Sequence, residues 1–212
     1  MNEKFFDLKK EKQDRMINAA LKVFALNGYR HASTDDIVRE AAISKGLLFH
    51  YFENKLGVYA FVYDYSVRYL LLELSTAVDA KETDLFTLMQ QVETGKMHAM
   101  CGYPYLQPFL NRAQAENVNE ALVAVEERKQ QMEEAYENIY ARADLGKYAA
   151  AEDVVKLRKM MDLTIKGVLN ERSLDDDFQP EMLYEEILEY LQLSRRLAER
   201  SGQPSDEEIT EK

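Results

Sequence analysis

Apolar residues return at helical spacing from Lys10 onward: Ile17, Ala20, Leu21 and Phe24 share one face. This predicts a helix over about 10–27, ended at Asn27-Gly28, where glycine suits a left-handed cap. Residues 1–8 precede the pattern and read as a frayed arm; Lys9, Lys10 and Lys12 just beyond it suit either phosphate contact or a solvated helix start. From Ser33 to Lys55, STDDIVREAAISKGLLFHYFENK, the periodicity breaks into two short pieces. Thr34 suits an N-cap, Asp35 and Asp36 suit the positive first turn, and Ile37, Val38 and Ala41 give a small apolar face. Ala41-Ala42-Ile43 reads as a compact turn. Ser44 is a second N-cap candidate, opening a helix over 45–51 whose Leu48 and Phe52, four apart, face inward.

The pattern then lengthens. A helix from Asn54 or Lys55 to about Ala80 carries Leu56, Tyr59, Val62, Tyr63, Leu70, Leu71 and Leu74, apolar on most faces and therefore buried on several sides. Another runs from Asp84 to about Met97 with Leu85, Leu88, Met89 and Val92 inward. Met97–Asn111 is uncharged, rich in Met and aromatics, and interrupted by Pro104 and Pro108, so it reads as the least regular stretch. Acidic 117–144, then 151–171 and 180–200, each read as long helices, with a stop at Leu145-Gly146-Lys147 and a polar loop at 173–177. The last twelve residues, SGQPSDEEITEK, read as a disordered tail. The prediction is an all-α chain, with an N-terminal three-helix head at 1–56 joined by the long helix to a helical body at 57–212.

Composition narrows the function classes. At 212 residues with 46% hydrophobic content, the chain is long enough for a sizeable core. Eight Gly and four Pro argue against a strand-rich or disordered chain. One cysteine, Cys101, excludes a disulfide framework and a thiolate metal cluster, and fits a reducing cytoplasm. No signal peptide is expected, because MNEKFFDLKKEK lacks an apolar core, and no uncharged run is long enough to span a membrane. The net charge of −11 is unevenly spread: residues 1–55 carry ten Lys/Arg against eight Asp/Glu, while the remainder carries seventeen against thirty. A slightly basic head on an acidic body suits DNA contact through a few placed cations, although acidity of the body also serves solubility alone.

Catalytic chemistry finds no support. His31, His50 and His98 show no Glu-x-x-His or His-x-x-x-His spacing, and there is no Gly-rich phosphate loop or nucleophile elbow. No metal, cofactor or enzyme activity is expected. His31 and His98 read as structural, and pairs such as Glu126-Glu127 and Glu133-Glu134 read as solvated faces. The 33–52 segment is different: helix, short turn and helix are the parts of a DNA-reading helix-turn-helix. Ser44, Lys45, Gly46, His50 and Tyr51 lie on or near the exposed and N-terminal side of its second helix, and Lys55 suits a phosphate contact at the next helix start.

AAISKGLLFHYFENK resembles the signature of the tetracycline-repressor (TetR) family, close to A-G-V-S-x-G-T-L-Y-x-Y-F-x-x-K. The resemblance extends back through Ile17-x-x-Ala20-x-x-x-Phe24-x-x-x-Gly28-Tyr29 and Thr34-x-x-Ile37, covering roughly residues 10–56. Departures are Ala42 for the turn glycine, tolerable if φ is negative there, Leu47 for threonine, Phe49 for tyrosine, and an acidic Asp35 where a basic residue sometimes touches DNA. The DNA-contact set becomes Ser33, Thr34, Ser44, Lys45, Gly46, Leu47, Phe49, His50, Tyr51 and Lys55.

The resemblance also implies a partner and a ligand. A homodimer paired through its last two long helices would bind a near-palindromic double-stranded operator as a repressor and leave it when a small lipophilic effector fills the body. Taken by itself, the Met/Tyr/Phe cluster at 89–109 reads as ordinary helical core. The resemblance implies an apolar effector pocket formed by Met89, Met97, Met100, Tyr103, Tyr105, Phe109, Tyr136 and Tyr140, with the acidic helix favouring a cationic ligand. The alternative class is an all-α small-molecule carrier or enzyme without DNA binding; a helical adaptor that binds only protein is a second.

Overall fold

In the computed structural model, which describes residues 3–148, 150–173 and 178–200, the described residues are helical and contain no strand. The helices are α1 Lys10–His31, α2 Thr34–Glu40, α3 Lys45–Phe52, α4 Lys55–Ala77, α5 Leu85–Gly102, α6 Leu106–Gln114, α7 Asn119–Tyr140, α8 Ala151–Arg172 and α9 Pro180–Arg200. Two 3-10 turns, Glu3–Asp7 and Leu145–Lys147, complete them. The expected tail at 201–212 and most of the 173–177 loop lie outside the described residues.

Three sequence expectations change. The arm is not frayed: Phe5 is fully buried, with its ring 5.3 Å from Phe52 and 4.9 Å from Phe61. Burial of this phenylalanine offsets part of the backbone entropy that ordering the turn costs. The stretch 97–111 is not irregular, because α5 runs on to Gly102 and α6 starts at Leu106. Pro108 is the third residue of α6, where its missing N–H has no helical acceptor to lose. Only Tyr103–Tyr105 makes the corner. The N-cap of α2 is Ser33, not Thr34: the Asp35 amide donates to Ser33 Oγ at 3.1 Å.

The described chain forms two compact units, and neither ends at residue 56. The first contains residues up to 73 and 98–136; the second contains 74–97 and those from 137 onward. In the first unit α1 packs along α6. Phe24, Tyr59, Tyr63 and Phe109 meet there edge-on or tilted, with Phe109 5.5 Å from Tyr59 and 6.1 Å from Phe24. Polar bonds fasten α1 further. The Tyr29 amide donates to Glu116 Oε2 at 2.9 Å and its hydroxyl to Glu120 Oε1 at 2.6 Å. Tyr103 Oη donates to Asp14 at 2.6 Å, receives Lys10 Nζ at 3.1 Å and meets Tyr65 Oη at 2.6 Å.

In the second unit α8 packs on α9, burying Val154, Met161, Ile165 and Leu169 from one and Leu183, Ile187 and Leu191 from the other. Asp84 organises the start of α5. It accepts the Thr87 amide and hydroxyl and the Tyr148 hydroxyl, and pairs with Arg195 at 3.1 Å. Burial opposes its ionisation, but those Thr87 bonds and Arg195 outweigh it and hold its carboxyl below the ordinary value. Both helices also present apolar side chains to solvent: Val155, Met160 and Leu163 on α8, and Met182, Leu193 and Leu197 on α9. Among the described residues no helix is long and apolar enough to cross a membrane.

Candidate nucleic-acid interface

The head begins with a break. Gly28 has φ 67° and ψ 173°, a conformation essentially reserved for glycine, so α1 proper stops near Asn27 as its sequence predicts. The chain then turns through Tyr29–His31 into Ser33, whose hydroxyl starts α2.

The end of α2 is a Schellman motif. The Ile43 amide donates to the Val38 carbonyl at 3.0 Å and the Ala42 amide to the Arg39 carbonyl at 3.2 Å. That closure demands a left-handed residue, and Ala42 supplies it with φ 51°. The sequence expectation that alanine would escape strain through a negative φ is thereby corrected: the hydrogen-bond pattern, not the side chain, sets the sign. Ser44 then caps α3 as expected, accepting the Leu47 amide at 3.2 Å.

Beneath the pair Ile37, Ala41, Leu48 and Phe52 are buried, which fixes how α3 is turned. Ser44, Lys45, Gly46 and His50 are exposed, while Leu47, Phe49 and Tyr51 are half-buried, as are Ser33 and Thr34. A side chain at Gly46 would meet nothing within 4 Å, so the surface there is open to an approaching backbone or base edge. The cations of this surface are held by neighbouring carboxylates: Lys45 Nζ lies 2.8 Å from Asp35, Lys22 2.6 Å from Glu40, and Arg39 pairs with Asp36. Such exposed pairs contribute little to stability, so a phosphate can replace the carboxylate cheaply.

The exit from α3 is tight. Glu53 has φ 61° and ψ −50°, and the Asn54 amide donates back to the Phe52 carbonyl at 2.6 Å, a γ-turn of the rarer, strained hand. Asn54 Oδ1 then caps α4 by accepting the Gly57 amide at 2.8 Å. A Cβ at Gly57 would sit 2.0 Å from the Phe52 carbonyl oxygen, so this corner closes only over a glycine.

Lys55, expected at a phosphate, is engaged inside the head. Its ammonium donates to the carbonyls of Tyr29 at 2.9 Å and of Arg30 and Ala32 at 3.4 Å, and lies 4.5 Å from the centre of the Tyr29 ring. A cation there neutralises the carbonyl end of α1 and ties α4 to it. Sequence reading missed Glu116 and Glu120, which hold Tyr29 from the other side. The signal was present in Glu116-Asn117-Val118, a carboxylate one turn before a helix, and Glu116 does accept the Asn117 and Val118 amides at 2.9 and 3.0 Å. Burial disfavours its charge, yet these amides with that of Tyr29 and the nearby Arg112 hold its carboxyl below the usual range.

The eight residues expected at an effector pocket are divided between the units. Met100, Tyr103, Tyr105, Phe109 and Tyr136 belong to the first, and Met89, Met97 and Tyr140 to the second. Met89, Met100, Tyr103 and Phe109 are buried. Phe109 is part of the aromatic core already described, and burial first, with the Asp14 and Tyr65 hydrogen bonds, raises the Tyr103 phenol. Among the described residues no group of three or more His, Cys, Asp or Glu could hold a metal ion.

Residues 16–60 match the family described as bacterial regulatory proteins, tetR family. The chain is 36% identical over 78 residues to YuxN, an uncharacterised HTH-type transcriptional regulator of Bacillus subtilis (strain 168), a match covering 35% of this chain and 26% of that protein. It is 41% identical over 49 residues to TtgW, an uncharacterised HTH-type transcriptional regulator of Pseudomonas putida, covering 23% of this chain and 37% of the relative. The matches thus span well under half the length of either relative. The fold is similar to that of a TetR family transcriptional regulator from Chloroflexus aurantiacus, with a TM-score of 0.55 at 21% identity over 94% of each chain.

Proposed function

We propose that this chain, whose residues 16–60 match the tetR family of bacterial regulatory proteins, is a DNA-binding transcriptional regulator. The observation that carries this reading is α3: an eight-residue helix capped by Ser44, seated on Leu48 and Phe52, with Lys45, Gly46 and His50 exposed on its outer side. A helix of that form fits the major groove, its N-terminal residues toward base edges and its positive end toward phosphate. Ser33, Thr34, Ser44, Lys45, Gly46, Leu47, Phe49, His50 and Tyr51 form the contact set, and Lys55 acts by holding α1 and α4 together.

The finer reading is a repressor that binds a near-palindromic operator as a homodimer. Support for the dimer comes from the apolar residues that α8 and α9 turn to solvent after satisfying each other, Leu163 and Met182 among them. A two-fold dimer presents its reading helices to half-sites about one DNA turn, roughly 34 Å, apart or slightly more. A lipophilic effector would act on the helical body, with α4, which starts beside the reading pair, as the lever. It lowers operator affinity only as far as it prefers the released state.

A gel shift of the full chain on its own upstream DNA tests the central reading, with a shuffled duplex of equal length as control. Preferential retardation of the upstream DNA is expected. Equal affinity for both duplexes would leave a carrier or adaptor as the better description.

A further inference from the structure

Asp35 is exposed beside the start of α3, yet it has no part in the contact set. Residues 33–52 carry two Lys/Arg against three Asp/Glu, so the helix pair is itself slightly acidic within a head whose residues 1–55 carry ten against eight. Two of the three carboxylates pair away from α3: Asp36 with Arg39 one turn along α2, and Glu40 with Lys22 of α1. Asp35 instead reaches from the first turn of α2 to the first residue of α3, where its Oδ1 lies 2.8 Å from Lys45 Nζ. Its side chain is 66% exposed. So wet an ion pair contributes little to stability, and Ile37, Ala41, Leu48 and Phe52 hold the head together beneath it. What the pair changes is how the surface meets an approaching duplex.

Backbone and base edges meet this pair differently. Non-specific binding rests on phosphates. A phosphate gains Lys45 only by displacing Asp35. That exchange costs the fold little, but the displaced carboxylate then faces the same polyanion, so the pair adds almost nothing to a backbone contact. The major groove is another matter. A G·C pair presents there the N4 amino donor of cytosine beside the O6 and N7 acceptors of guanine. A carboxylate beside an ammonium is the complement of that edge. Both groups sit at the N-terminal end of α3, the end that a recognition helix turns toward bases. The surface next to them is open, because even a Cβ at Gly46 would meet nothing within 4 Å.

We infer that Asp35 is a specificity-determining residue: on the correct site it accepts the amino group of a cytosine while Lys45 donates to the paired guanine, and on other DNA it repels phosphate and keeps Lys45 occupied. The inference rests on the DNA-binding reading above and deepens it by naming a base pair. The carboxylate lowers affinity for DNA at large and raises the ratio of the right site to the rest, because guanine O6 and thymine O4 offer it only acceptors.

The test is selection of duplexes from a random pool by the full chain as wild type, Asp35→Asn and Asp36→Asn, with affinities then measured for the selected duplex and the pool across salt concentrations. Each substitution removes one negative charge, but only the first removes it from Lys45. Wild type is expected to select a motif with a fixed G·C pair whose replacement by A·T weakens its binding about tenfold. Asp35→Asn is expected to tolerate other pairs at that position. It also binds the pool several-fold more tightly, with a salt slope steeper by about 1 as Lys45 gains a phosphate. Asp36→Asn is expected to keep the wild-type motif, and helical melts of the three proteins check that the head is intact. Wild type that prefers no duplex rejects the DNA-binding reading itself. A motif without a fixed G·C pair, or one that Asp35→Asn selects unchanged, overturns the role of Asp35 and leaves that reading standing. So does a loss of selectivity shared equally by Asp36→Asn, which traces the effect to net charge alone.

Discussion

Ala42 is the residue at which local rules and structure conflict. A Schellman closure fixes φ at 51°, and a left-handed alanine costs about 1–2 kcal/mol. Glycine removes that cost but adds about 0.5–1 kcal/mol of unfolded-chain entropy. Ala42→Gly is therefore expected to stabilise by up to about 1 kcal/mol, raising Tm by about 2–4 °C for a chain of this size, readable in a thermal melt. The opposite holds at Gly57. A methyl placed 2.0 Å from the Phe52 carbonyl oxygen must push the backbone apart, so Gly57→Ala is expected to cost about 3 kcal/mol or more and to weaken DNA binding with it. Residue identity made the cap at Ser44 legible, because a serine before Lys-Gly-Leu has one obvious acceptor role. It could not reveal the sign of φ at Ala42 or the packing at Gly57, since both depend on which backbone atoms face them. Lys55 shows the same limit: its charge was legible, but its three carbonyl partners come from a segment more than twenty residues earlier.

At the scale of elements, periodicity located most helices, and α9 begins and ends where its pattern does, at Pro180 and Arg200. It fails at 97–111 because proline breaks a helix only past its first turn: Pro108 occupies a first turn, and only the corner at Tyr103–Tyr105 is non-helical. The join of α1 to the α6–α7 corner depends on Glu116, and gives an acid-side prediction. Its carboxyl lies below the ordinary glutamate value of 4.5, so its contribution is fully present above that pH and is lost as pH falls through the lower folded value. Glu116→Gln is expected to be less stable than wild type at neutral pH, with the difference shrinking as the pH falls below the ordinary glutamate value of 4.5 and through the lower folded value, where the wild-type carboxylate takes up its proton. Denaturant midpoints across that range measure it; a difference that stays constant with pH would remove the carboxylate from the account.

For the whole molecule, what was legible was class and length: an all-α chain with a reading pair near its N-terminus. The division into units was not legible, because residues 98–136 join the head through side chains such as Phe109, Tyr103 and Glu116, whose partners lie some ninety residues away. Consequently Tyr103→Phe, which keeps the ring and breaks the hydroxyl network, is a better probe of effector response than truncation. The exposed apolar faces of α8 and α9 lead to an assembly prediction. Leu163→Glu combined with Met182→Glu is expected to shift the chain from dimer to monomer in sedimentation at micromolar concentration. Loss of the proposed dimer is expected to weaken DNA binding, read by gel shift, while the thermal melt of the head is retained.

The claim on which the rest depends is that α3 docks on DNA with Lys45 exchanging Asp35 for phosphate or base. It is tested by measuring the affinity of the full chain for a duplex selected from a random pool, across salt concentrations, for wild type and Lys45→Ala. The account predicts a log–log decline with salt, tighter binding to the selected duplex than to the pool, and for Lys45→Ala weaker binding with either a slope smaller by about 1 or a relaxed sequence preference. A wild-type affinity that is independent of salt and the same for the selected duplex and the pool would contradict it.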